Sequence, residues 1–98
     1  IAPAAVEEAL TALPGVSEAA VFGVPHSELG EEVMAVVNAD QGRSADDLRA
    51  EVKTLLASFA VPSLWKVQHA PLPTNQTGKI DKMAIRNAAL AERKTAEA

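Results

Sequence analysis

The run VSEAAVFGV, Val16–Val24, constrains the fold more than any other stretch: it is short, rich in valine and closed by Gly23 and Pro25, which reads as a β-strand. A second run of the same kind, EVMAVVNA, ends at Ala39. The polar segment PHSELGE between them contains Gly30 and is long enough for a loose hairpin, so the two strands are expected as antiparallel neighbours. Helical periodicity lies on either side. From Ala4 to Leu13, the residues Val6, Ala9, Leu10 and Leu13 share one helix face, Glu7 and Glu8 occupy early turns favoured by the helix dipole, and Pro14-Gly15 ends the element. SADD, Ser44–Asp47, starts a second helix with Ser44 as N-cap; Leu48, Val52, Leu55, Leu56 and Phe59 continue it to Pro62, as the longest helix of the chain. LWKVQHA alternates Trp65 and Val67 against Lys66 and Gln68, the pattern of a half-exposed strand. Asp81 is placed to cap a last helix that packs through Ile85, Ala89 and Leu90 before ERKTAEA frays into solvent. The expectation is an α+β domain in the order αββαβα, with a sheet of about three strands and helices packed on it.

Composition narrows what such a domain can do. At 98 residues the chain is one small domain in which a deep enclosed pocket is not expected. Hydrophobic residues make up 48% but aromatic residues only 3%, so the core is built from Ala, Val and Leu. The absence of cysteine excludes disulfide and thiolate chemistry, and two separated histidines leave no metal ligand set in this domain. His26, His69, Trp65, Met34 and Met83 have no chemical constellation around them and read as packing or surface residues. No apolar run approaches the roughly 18 residues that cross a bilayer, and the start lacks the basic segment of a signal peptide, so a cytoplasmic protein without an integral membrane segment is expected. The net charge of −4 argues against a nucleic-acid partner. The charge is uneven, however. Residues 1–51 hold ten acids and two bases, whereas residues 52–98 hold seven bases and three acids, which places any anionic ligand on the later half.

That later half contains PLPTNQTGKIDK, residues Pro71–Lys82. A glycine before a lysine invites comparison with a phosphate loop, but that motif needs a glycine five positions before Gly78 and a Ser or Thr after the lysine. Pro73 and Ile80 stand there, and Pro73 has no N–H to offer a phosphate. What remains is Lys79 on an approach stiffened by Pro71 and Pro73, with Gly78 allowing a tight turn beside it. A stiff approach to a flexible point charge suggests delivery of an ammonium that can bridge a carboxylate and a phosphate.

In sequence order, IAPAAVEEAL, VSEAAVFGVP, LGEEVMAVV, SFAVP and PTNQTGKIDKMAIR resemble the small C-terminal domain of the adenylate-forming ligases, a family that includes acyl-CoA synthetases, luciferases and the adenylation domains of peptide synthetases. Its pattern runs from a Pro and a Val-Glu-Glu helix through GVP, a GE pair and a Tyr/Phe-x-x-Pro turn to Pro-x4-Gly-Lys and a basic helix. The resemblance covers Ile1 to Arg86. It departs at Ala5, where glutamate is common, at Ala60, where lysine is frequent, and at Val61, where some members have arginine.

The resemblance implies a two-step acid–CoA ligase that forms an acyl-adenylate from a carboxylic acid and ATP with Mg2+, then passes the acyl group to CoA. Lys79 is the implied catalytic lysine for the first step, supported by the loop residues Pro73 and Gly78. The domain is then expected to rotate, withdrawing Lys79 and presenting a second face on which Phe59 and Lys53 meet CoA. Lys79 also matches the lysine that protein acetyltransferases modify in bacterial relatives. The partner of this domain in the family is a large N-terminal domain, joined through a hinge, that holds the ATP and acid pockets; the 98-residue chain by itself is expected to be inactive. Two other readings stay open at this level: a peptide-synthetase domain serving a carrier protein, and a free-standing α+β interaction module without catalysis.

Overall fold

The computed structural model describes residues 3–26, 28 and 30–97. Ile1 and Ala2 of the opening motif, Ser27 and Leu29 of the first strand connection and the final Ala98 lie outside the described residues. The elements are α1 (Pro3–Thr11), β1 (Val16–His26), β2 (Gly30–Ala39), α2 (Ala45–Val52), a short 3-10 turn (Ser58–Ala60), β3 (Leu64–Gln68) and α3 (Lys82–Glu97). This is the expected αββαβα order. The three strands form one mixed sheet in the order β1-β2-β3, with β1 antiparallel and β3 parallel to β2. The parallel pairing follows from connectivity, because a strand joined to its neighbour through a helix can return to the same side of the sheet.

Helices cover both faces, which explains why β1 and β2 read as nearly unbroken apolar runs. On one face Val6 and Leu10 of α1 and Leu48 and Val52 of α2 pack on Ala19, Val21, Ala35 and Val37. On the other, Ile85 and Ala89 of α3 and the loop residue Leu72 pack on Ala20, Phe22, Val24, Met34 and Val36. As the composition implies, most of this core is Ala, Val and Leu, and no polar side chain is buried among the described residues.

β1 is an edge strand, and two of its outward backbone groups are met by side chains. The Val21 N–H donates to Glu7 Oε2 at 2.8 Å, and the Arg86 Nε–H donates to the Gly23 carbonyl at 2.9 Å. Pro25 lies two residues further along the same outer side, where a missing N–H breaks no ladder bond. The strand pairing therefore runs past Pro25 to His26 opposite Gly30, whose φ of +80° suits the end of a three-residue connection. The hairpin is tighter than the expected loose loop. Glu7, placed by sequence on the helix dipole, instead serves this strand edge: α1 begins one residue early, at Pro3, and has no acid in its first turn.

Two further expectations are corrected. The second helix is not the longest: it ends at Val52, after eight residues, while α3 has sixteen. Ser44 does cap it, its hydroxyl accepting from the Asp47 N–H at 3.1 Å. At its other end the Thr54 hydroxyl takes the Glu51 carbonyl at 2.7 Å, and Thr54 and Leu55 N–H turn to acceptors three residues back, so the helix tightens and stops. Leu55 and Phe59 are consequently 55% and 76% exposed. The segment ERKTAEA does not fray at its start. α3 runs through it to Glu97, with Glu92 paired to Lys66 at 2.6 Å and Arg93 to Glu32 at 3.5 Å.

The five residues read as packing or surface hold to that. Met34 is in the core, Met83 is exposed, and the Trp65 indole donates to the Pro62 carbonyl at 2.9 Å. His69 Nδ1 lies 2.8 Å from the Ala39 carbonyl, and the Glu28 N–H donates to His26 Nδ1 at 3.1 Å.

Candidate functional site

The segment from Pro71 to Lys82 is a closed and internally bonded loop. A strap leaves β3, held by Gln68, whose amide donates to the Ala70 and Pro71 carbonyls at 2.9 and 3.3 Å. Leu72 then inserts into the α3-side core, 3% exposed. Beyond it Thr74 and Ile80 form an antiparallel bridge, and the Asp81 N–H donates to the Pro73 carbonyl at 2.8 Å, so the two limbs of the loop are zipped together. Asp81 ends the loop by capping α3, its carboxylate accepting from the Ala84 N–H at 3.1 Å, as the sequence predicts.

Asn75 organises the tip. Its backbone N–H donates to the Lys79 carbonyl at 2.7 Å and its carbonyl accepts from the Gly78 N–H at 3.0 Å, closing a four-residue turn. Its side-chain oxygen accepts from the Thr77 N–H at 3.0 Å, the Thr77 hydroxyl at 2.7 Å and the Lys79 N–H at 3.1 Å. Gly78 is required by conformation rather than space: its φ is +83°, and a Cβ there would meet nothing within 4 Å. Sequence reasoning found Pro73, Gly78 and Lys79 but missed Asn75; the available signal was an Asn two residues before a Thr in a glycine-containing turn.

The result is a lysine whose backbone is fixed on both sides while its side chain is exposed and, among the described residues, makes no hydrogen bond or ion pair. Among the described residues no contact has to break before such an ammonium meets an external anion.

Lys53 and Phe59 are not brought to Lys79. Lys53 is the C-cap of α2 and Phe59 rides the 3-10 turn, in the layer that packs on the opposite face of the sheet from the Lys79 loop. Phe59 is largely exposed instead of closing the apolar face of a helix. Beside it Arg49, Lys53, Ser58 and Val61 line an open cavity of about 470 Å3, with Arg49 and Lys53 one helical turn apart. Arg49 was another residue missed by sequence reasoning, although its spacing from Lys53 is visible there. Val61 is half-buried, packing on the core while it also lines this cavity.

A sheet covered on both faces, with a shaped lysine loop on one side and a cationic groove on the other, defines a small α+β domain with two separate cation-bearing surfaces. The AMP-binding enzyme C-terminal domain family matches residues 5–79, and the chain belongs to that family. Among curated proteins it is 43% identical, over 86 residues, to a 3-[(3aS,4S,7aS)-7a-methyl-1,5-dioxo-octahydro-1H-inden-4-yl]propanoyl:CoA ligase of Rhodococcus jostii, a match covering 86% of this chain and 16% of that protein. Among solved structures, a fatty acyl-CoA synthetase of Mycobacterium tuberculosis superimposes with a TM-score of 0.84 at 37% identity, covering 92% of this chain and 18% of that one. An amide bond synthetase from Marinactinospora thermotolerans superimposes with a TM-score of 0.79 at 34% identity, covering 90% and 18%. The chain thus spans under a fifth of the length of these relatives.

Proposed function

We propose that this chain is the mobile C-terminal domain of an ATP-dependent acid–CoA ligase, and that Lys79 is its catalytic residue for acyl-adenylate formation. The observation carrying this reading is the exposed Lys79 ammonium, without a hydrogen bond or ion pair among the described residues, at the tip of a loop whose backbone is bonded on both sides of it. In the first half-reaction a substrate carboxylate oxygen attacks the α-phosphorus of ATP, a P–O bond forms, and pyrophosphate leaves. Two anions must approach, and at an effective dielectric of about 20 a unit charge 4 Å away changes the energy by roughly 4 kcal/mol. A single well-placed ammonium is therefore sufficient for an effect of about a thousandfold. In this reading ATP, Mg2+ and the acid belong to a large N-terminal domain, consistent with a chain that spans under a fifth of the length of its relatives.

For the second half-reaction the domain rotates and presents the other layer. Arg49 and Lys53 offer two cations to the phosphates of CoA, and Phe59 offers a face on which adenine stacks, for about 1–3 kcal/mol. The location of the two surfaces on opposite faces of the sheet supports alternation, because one orientation cannot serve both steps at one active site. Acetylation of Lys79 would remove the charge on which the first step depends. A second reading, an acceptor other than CoA, is favoured by Val61, an uncharged residue on this cavity where some CoA-binding members have an arginine, and by the likeness to an amide bond synthetase.

The test uses the protein with its upstream domain. It should exchange pyrophosphate into ATP only when a carboxylic acid is present and should form the CoA thioester, whereas the 98-residue chain alone should do neither. Phe59→Ala and Lys53→Ala should raise the KM for CoA several-fold with pyrophosphate exchange intact. Absence of acid-dependent exchange would defeat the ligase reading; an unchanged KM for CoA would remove Phe59 and Lys53 from it and favour another acceptor.

A further inference from the structure

The Lys79 loop joins the domain at two roots, and each root is met by a carboxylate from the acidic first half of the chain. At the leading root the Leu72 N–H donates to Glu18 Oε1 at 2.9 Å, and the Asn38 side-chain amide donates to the same oxygen at 3.0 Å. Leu72 is buried, so its N–H has little access to water and losing this acceptor would leave it unpaired. At the trailing root the Lys82 ammonium lies 2.8 Å from Glu7 Oε2, the oxygen that also accepts the Val21 N–H. Charged acceptors make the stronger and better-directed bonds at such points.

Both roots are thereby referred to one strand. Glu18 belongs to β1, and Glu7, although carried by α1, is fixed to β1 through Val21. Between the roots, the Pro73–Asp81 and Thr74–Ile80 pairings close the limbs on each other, so a shift of either root is passed to the tip. We propose that Glu7 and Glu18 are positioning residues for Lys79, holding the two roots of its loop at a fixed spacing along β1 so that the strand sets the direction in which the ammonium is presented. This rests on the reading of Lys79 as the adenylation lysine. The consequence is specific: loosening either root misaims the lysine in the first half-reaction and leaves the second, from which the lysine is withdrawn, unaffected. Geometry errors of about 1 Å at a reacting centre reach a hundredfold in rate.

The experiment measures the two half-reactions separately in the enzyme with its upstream domain, for Glu18→Ala, Glu18→Gln, Glu7→Gln, Lys82→Met and, alongside them, Lys79→Ala. Glu18→Ala should lower kcat for acid-dependent pyrophosphate exchange about tenfold, and Glu7→Gln and Lys82→Met several-fold, with KM for ATP and acid unchanged. Thioester formation from preformed acyl-adenylate should stay at the wild-type rate in each. Glu18→Gln, which keeps an oxygen for Leu72, should restore most of the exchange. Lys82→Met leaves Glu7 on Val21 and keeps the test open if Glu18→Ala folds poorly. Equal losses in both half-reactions, or none in either, would overturn the positioning role. Full exchange activity in Lys79→Ala would instead overturn the reading on which the proposal depends, and the proposal with it.

Discussion

Replacing Asn75 by alanine isolates what the loop does from what the rest of the domain does. The change deletes the acceptor of the Thr77 and Lys79 N–H groups and of the Thr77 hydroxyl, while the turn's backbone bonds are untouched in composition. A hydrogen bond contributes about 0.5–1.5 kcal/mol net, and these lie on an exposed loop where water takes up the freed donors. The low end applies, so the closed tip loses about 1–2 kcal/mol relative to open conformers, a shift of roughly five- to thirtyfold in their ratio. Hydrogen exchange reads this ratio directly. Protection of the Gly78 amide, whose acceptor is the backbone carbonyl of residue 75, should fall by that factor while the amides of Val36 and Val37 in β2 keep theirs, and acid-dependent pyrophosphate exchange in the full enzyme should fall in parallel. Asn75→Asp keeps the accepting oxygen and should preserve most of the protection. Unchanged protection at Gly78, or equal loosening of β2, would refute the assignment of Asn75 as the organiser of the tip.

The early end of α2 predicts a sharp contrast between two leucines seven residues apart. Leu48→Ala, at a fully buried position, should destabilise the domain by about 2–5 kcal/mol in denaturant unfolding, whereas Leu55→Ala should stay within about 0.5 kcal/mol. Similar values for both would mean that the helix continues past Val52. Glu18 has a second signature. Its Asn38 hydrogen bond, and then that of Leu72, hold its carboxyl below the ordinary value near 4.5, against a smaller opposing effect of burial. The unfolded chain therefore takes up the proton first, and this contribution to stability is full above that pH and is lost as pH falls through the folded-state value. Protection of the Leu72 amide should weaken in that acid range, and Glu18→Gln should remove this pH dependence; an equally steep acid loss in Glu18→Gln would exclude Glu18 as its source.

The strands, the Ser44 and Asp81 caps and the position of Lys79 were legible in the sequence because each depends on neighbours within a few residues. The end of α2 was not. Leu55 and Phe59 continue the apolar spacing of Leu48 and Val52, and only the competition of the Thr54 hydroxyl for the Glu51 carbonyl, with three-residue backbone bonds beside it, stops the helix. The hairpin was misjudged for a related reason: Pro25 reads as a strand terminator, yet on the outer side of an edge strand its missing N–H is harmless. The contacts of Glu7 and Glu18 were beyond reach of any local pattern, since Glu18 finds its partner Leu72 across 54 residues of chain. Proximity of that kind is fixed by the fold. Asn75 lies between these cases, visible as a turn former but not as the acceptor that fixes Lys79.

The most direct measurement of the central claim is the pair of half-reactions in the Lys79→Ala enzyme with its upstream domain present. Removal of one ammonium from between two anions should lower acid-dependent pyrophosphate exchange by about a hundredfold or more, while thioester formation from preformed acyl-adenylate continues at the wild-type rate. Equal loss of both steps, or retention of the exchange, would contradict a lysine delivered by this loop for adenylation alone.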